Sequence, residues 1–82
     1  MSEHLSNSLH QPGPFGRLLR FWRATFGLSQ EELALETGVS ARHVSFLETG
    51  RSQPGRSMVL ALAGVFRLEP QDLNTLLVAA GF

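Results

Sequence analysis

The sequence predicts a compact all-α domain of five short helices behind a tail, and three observations predict it. Apolar residues recur at spacings of three and four, beginning with Phe15, Leu19, Trp22 and Phe26, which is the period of helices that bury one face. Ser29 and Ser40 stand where helices need N-caps, their hydroxyls placed to accept from the free amides of a first turn. Gly27, Gly38, Gly50 and Pro70 punctuate the chain where such helices stop or restart.

Taken in order, Met1 to Pro14 is polar and closes on Pro12, Gly13 and Pro14, so it reads as a flexible tail. An arm entering the minor groove of DNA would need basic residues, and the first arginine is Arg17. Phe15 to Phe26 forms the first helix, its apolar stripe facing the core, and Gly27 ends it. Ser29 with Glu32 three residues on is a capping box, which opens a second helix from Gln30 to about Thr37. Leu33 and Ala34 pack inward there, and the small Ala34 allows the next helix to come close. Gly38 supplies the backbone freedom of a sharp turn, with Val39 plugging the space beneath it. Ser40 caps the third helix, in which Val44 and Leu47 face inward and Ala41, Arg42, Ser45, Phe46 and Thr49 face outward. An outward face with an arginine and an apolar ring has the character of a reading surface.

Gly50 to Ser57 has the form G-x-x-x-x-G-R-S, close to a phosphate-cradling P-loop but with Arg56 in place of its lysine. A P-loop follows a buried strand, and none precedes this stretch. It is predicted as the loop after the third helix, with Gly50 as the C-terminal cap. A fourth helix from Ser57 to Phe66 turns Val59, Leu62, Ala63 and Phe66 inward, with Met58 and Leu60 on its flanks. Pro70 starts a fifth, ending near Ala80 and burying Leu73, Leu76 and Leu77.

Composition narrows the function classes. A chain of 82 residues makes one small domain, which hides only roughly 60% of its unfolded surface. Its 43% hydrophobic residues and mean hydropathy of +0.01 are those of a globular protein. Without cysteine it has no disulfide or thiolate zinc site. No apolar run approaches the ~20 residues of a membrane span, and Met1 to Pro14 lacks the basic and hydrophobic regions of a signal peptide, so a cytoplasmic protein is expected. No cysteine nucleophile, Gly-x-Ser-x-Gly elbow, HExxH or carboxylate pair beside a histidine is present, which argues against an enzyme and predicts no cofactor and no metal. Net charge is zero, yet all seven basic residues are arginines, gathered on the first helix and around the third, while Glu31, Glu32 and Glu36 lie on the second. Distribution matters more than the sum, and binding to a polyanion would be modest and strongly salt-dependent.

Three stretches carry a family resemblance: Leu28-Ser29-Gln30-Glu31-Glu32-Leu33-Ala34, Thr37-Gly38-Val39-Ser40, and Val44-Ser45-Phe46-Leu47-Glu48-Thr49-Gly50. The loop Arg51-Ser52-Gln53-Pro54 and the segment Val59 to Ala63 extend it, as do Leu19-Arg20 and Trp22-Arg23 upstream. Over about Phe15 to Leu77 the chain resembles the phage-repressor-like (XRE or Cro/C1-type) transcriptional regulators. The resemblance implies a lambda-repressor-like domain over residues 15–82, with a helix-turn-helix at helices two and three, binding double-stranded DNA through the major groove.

Within that expectation Arg42 is the leading base reader, since a guanidinium bonds both O6 and N7 of guanine; its alternative is a phosphate contact. Phe46 either packs against thymine methyl groups or tilts into the core. Ala41 fits beside a methyl, and Ser45 hydrogen-bonds a base or lies on the far side. Gln30 at the start of the second helix, Ser40, His43, Thr49 and Arg51 are expected at the DNA backbone, His43 being a surface or phosphate-side residue without a second metal ligand at helical spacing. The resemblance further implies that Arg23 pairs with Glu48, fixing geometry without adding much net stability, and that Arg23 also reaches a phosphate.

The apolar end, Leu77-Val78-Ala79-Ala80-Gly81-Phe82, suggests a partner surface. Asn74 to Phe82 is similar to the close of the DNA-binding part in longer regulators of the MmyB-type group, where a ligand-sensing domain follows. Alternatively Leu77, Val78 and Phe82 form a homodimer contact, which suits two half-sites ~34 Å apart. Zero net charge and this tail also support a second reading, an antitoxin-like or anti-regulator protein that keeps the fold and binds a protein.

Overall fold

The computed structural model describes residues 13–82, so all but the last two residues of the expected tail lie outside the described residues. Those two residues belong to the domain. Gly13 is the N-cap of α1 (Pro14–Thr25) and Pro14 its first residue, because proline's fixed φ suits a first turn and its missing amide would have had no intrahelical partner there. The helix start expected at Phe15 therefore moves back by one residue, to Pro14.

α2 (Gln30–Thr37) opens on the predicted capping box. The Glu32 amide donates to the Ser29 hydroxyl at 3.0 Å, and the Ser29 amide donates to the Glu32 carboxylate at 2.8 Å. α3 (Ala41–Thr49) is capped by Ser40, whose hydroxyl accepts from the His43 amide at 3.0 Å. Between them Gly38 sits at φ 77°, and the amides of Gly38 and Val39 both donate to the Ala34 carbonyl. That left-handed backbone is where glycine is favoured, and it turns the chain sharply enough to lay α3 across α2. α4 (Arg56–Phe66) and α5 (Pro70–Ala79) complete a fold of five helices without a strand among the described residues.

α2 packs on α3, α1 crosses α3, α4 lies against α2 and α5, and α5 returns to α1. Leu19, Leu33, Val44, Leu47, Val59, Leu62, Phe66 and Leu76 are buried at the centre. Each such side chain contributes about 1.5–3 kcal/mol relative to exposure, which is large against the marginal stability of so small a domain. The inner face of α4 is the one its spacing predicts, Val59, Leu62, Ala63 and Phe66.

Two core expectations are corrected. Phe26 lies just past α1 and is 48% exposed. Beyond the last helical residue the period no longer carries a side chain inward, so its ring covers only the edge of the core, 5.5 Å from Phe66. In α5 only Leu76 is fully buried, while Leu73 and Leu77 are partly so. Leu77, expected both in the core and at a partner contact with Val78 and Phe82, packs against the core because it lies four residues after Leu73 on the same helical face.

One feature was not expected. Gly16 is buried in α1, and a Cβ there would overlap the backbone carbonyl of Glu48. α1 and α3 therefore meet nearly backbone to backbone.

Candidate nucleic-acid interface

The close crossing at Gly16 brings α1 side chains onto the second half of α3. Arg23, on the last turn of α1, donates from Nε to Glu48 Oε2 at 2.6 Å and from Nη2 to Glu48 Oε1 at 3.2 Å. Its Nη1 donates to the Leu28 carbonyl at 2.9 Å, so one guanidinium ties α1, the α1–α2 loop and α3 together. Glu48 is only 1% exposed. Gln30 Nε2 also donates to it at 3.0 Å, and Arg20 Nε lies 3.6 Å away. Burial pushes the Glu48 carboxyl up, but hydrogen bonds from Arg23 and Gln30 and the charges of Arg23 and Arg20 outweigh that, and it titrates below its ordinary value. Arg23 shifts up in return, its bond to Glu48 outweighing its own partial burial.

This arrangement changes what Gln30 offers. A carboxylate only accepts, so the amide nitrogen must face Glu48, and the carbonyl oxygen with the remaining N–H is left for any ligand. Arg23 likewise has two of its five N–H groups outside these bonds.

Arg23, Gln30, Ala41, Arg42 and Ser45 line one open concavity of about 610 Å³, together with Ser29 and Glu31. Both α2 and α3 begin there, so their first-turn amides and positive dipole ends lie at the same opening. Arg42 and Arg51 are exposed, and Phe46 is half-buried. The ring of Phe46 does not enter the core. It holds both arginines, with each Cζ 5.3 Å from its centroid, within the range of a cation–π contact. Arg42 reaches the ring because it lies one turn earlier on α3. Arg51 reaches it because Gly50, at φ 85°, folds the chain back so that the amides of Arg51 and Ser52 both donate to the Phe46 carbonyl.

The Ser40 hydroxyl is engaged as the α3 cap, and half-buried His43 donates its amide to it. The Thr49 hydroxyl donates to the Ser45 carbonyl at 3.0 Å, which ties it to its own helix rather than offering a free donor. Ser45 and Ala41 are half-buried at the concavity. Arg56 begins α4 rather than lying in the loop. Sequence reasoning missed Gly16, for which a glycine inside an otherwise regular helical pattern was the available signal; Arg20 is exposed and adds its charge near Glu48. Among the described residues no group of three or more acids or histidines is placed to hold a metal ion, and no helix is long and apolar enough to cross a membrane.

The sequence matches the helix-turn-helix family HTH_3 over residues 19–73. It is 38% identical over 55 residues to an uncharacterised HTH-type transcriptional regulator of Archaeoglobus fulgidus, covering 67% of this chain and 79% of that one. Its fold is similar to that of the restriction-modification controller protein C.AhdI from Aeromonas hydrophila, with a TM-score of 0.68, 37% identity, and coverage of 73% of this chain and 91% of that chain. It is also similar to the clp gene regulator ClgR from C. glutamicum, with a TM-score of 0.70, 28% identity, and coverage of 84% and 86%. The chain belongs to the XRE-type helix-turn-helix family of transcriptional regulators.

Proposed function

We propose that this regulator binds specific sequences in duplex DNA by laying α3 in the major groove, acting in the cytoplasm without enzymatic activity. One observation carries the reading: Arg42 and Arg51, neither paired with a carboxylate among the described residues, are gathered on Phe46 beside the shared opening of α2 and α3. Arg42, Ala41, Ser45 and Phe46 meet base edges. Arg51, the amides at the start of α2 with Gln30, and the two remaining N–H groups of Arg23 meet phosphates, with Ser40, His43 and Thr49 along the same flank.

A homodimer fits the same reading through Val78 and Phe82, which are 63% and 54% exposed. Leu77 contributes by holding α5 to the core. The test is selection of randomised duplex DNA by the 82-residue chain at low salt, with the bound pool sequenced as salt is raised. An enriched inverted repeat supports the dimeric reader, and a single half-site a monomer. Negligible binding at low salt would favour the protein-interaction alternative, to which zero net charge and the exposed Val78 and Phe82 lend support.

A further inference from the structure

Resting on the reading of α3 as a DNA-contacting helix, the geometry points to a particular ligand chemistry: a pyrimidine bearing a 5-methyl group, followed by guanine on the same strand. The Arg42 guanidinium is planar, with two faces and a hydrogen-bonding edge. Phe46, one turn later, holds Cζ at 5.3 Å from its ring centroid, so one side of the group is occupied by an aromatic ring. No carboxylate among the described residues engages the group, and it lines the open concavity with Ala41 and Ser45. Exposed and without a carboxylate partner, its N–H groups are free to hydrogen-bond and the side turned away from the ring is free to pack.

A guanidinium that bonds O6 and N7 of guanine lies close to the plane of that base. The base 5′ to the guanine stacks directly above, and when it is a pyrimidine its C5 substituent projects into the major groove over the guanidinium. A hydrogen there leaves the second face of Arg42 against water. A methyl group covers it, and the methyl of half-buried Ala41 adds apolar surface beside it. Arg51 is held at the same distance from the same ring by the turn at Gly50, so the ring that fixes the base reader also fixes a phosphate contact. Preorganisation of this kind lowers the side-chain entropy lost on binding. Thymine and 5-methylcytosine present the same methyl, and both satisfy the site.

The probe is the duplex enriched from the randomised library, remade with thymine, uracil, cytosine or 5-methylcytosine at the position 5′ to the guanine read by Arg42, the guanine whose replacement costs the wild-type chain most and the Arg42→Ala chain least. Binding is measured for the wild-type chain and for Arg42→Lys, which keeps the charge but has no planar face. The expected result is about fourfold weaker wild-type binding when uracil replaces thymine, the worth of one buried methyl. A similar gain is expected when 5-methylcytosine replaces cytosine, and Arg42→Lys should show neither difference. A gain with thymine over uracil but none with 5-methylcytosine over cytosine would restrict the site to thymine and overturn the shared-methyl chemistry. An enriched site without a pyrimidine–guanine step, equal binding of thymine and uracil duplexes, or unchanged discrimination in Arg42→Lys would overturn the inference while leaving DNA binding intact. No enrichment and no binding at low salt would overturn the DNA reading and this inference together.

Discussion

Arg23 Nε lies 2.6 Å from Glu48 Oε2, a contact between residues 25 positions apart that joins the last turn of α1 to the α3 residue whose backbone carbonyl faces Gly16. Glu48 is buried and fully bonded, by Arg23 twice and by Gln30 once. The same group therefore positions three helices and two side chains of the proposed interface. Removing one partner of a buried pair costs far more than the pair contributes over an apolar substitute, so this contact acts as a constraint on geometry more than as a source of stability.

The Glu48 carboxyl is depressed below its ordinary value in the folded protein. Its contribution is then complete above the unfolded value of about 4.3 and is lost as the pH falls through the lower folded value. Thermal melts followed by circular dichroism should show Glu48→Gln less stable than wild type by about 3 kcal/mol at neutral pH. The gap should narrow below pH ~4. Identical melting at neutral pH would show that the ionised pair is dispensable.

Gly16→Ala should destabilise the domain, against the usual direction for glycine to alanine within a helix. Helix propensity favours alanine by about 1 kcal/mol, but the new methyl overlaps the Glu48 carbonyl, and backbone has little room to yield. A net loss of about 1–3 kcal/mol is expected in urea denaturation. A gain would mean that α1 shifts freely on α3.

Arg67→Gly should stabilise. Arg67 follows α4 in the left-handed region at φ 52°, the one non-glycine residue with positive φ among the described residues. Its amide and that of Leu68 close the helix onto the Gly64 and Ala63 carbonyls, a role that needs the conformation and not the exposed side chain. Relief of about 1 kcal/mol of strain, partly offset by the freer unfolded chain, should raise the denaturation midpoint at an unchanged slope.

Arg42→Ala and Arg51→Ala should separate by kind of loss. Arg42→Ala should cost ~1–3 kcal/mol and relax the choice at one base pair, whereas Arg51→Ala should weaken all sequences alike and reduce the salt slope by about 1. Binding titrations on the selected site and on random duplex, each at several salt concentrations, distinguish the two. Equal loss for Arg42→Ala on both DNAs would make it a phosphate contact.

What the sequence determined by itself is local: the extents of α2 and α3 with their serine caps, the turn at Gly38, and the inner face of α4. These depend on residues within one or two turns, where spacing and capping chemistry decide. The pairing of Arg23 with Glu48 was legible only through the family resemblance. Tertiary structure decided the rest. The need for glycine at position 16, the turn of the Gln30 amide toward Glu48, the exposed ring of Phe26 and the partial burial of Leu77 all depend on how helices distant in sequence cross. The joint seating of Arg42 and Arg51 on Phe46 depends on the path of the chain after Gly50. No periodicity within one helix encodes such crossings, because the partner atoms belong to another helix and are placed only when the core closes.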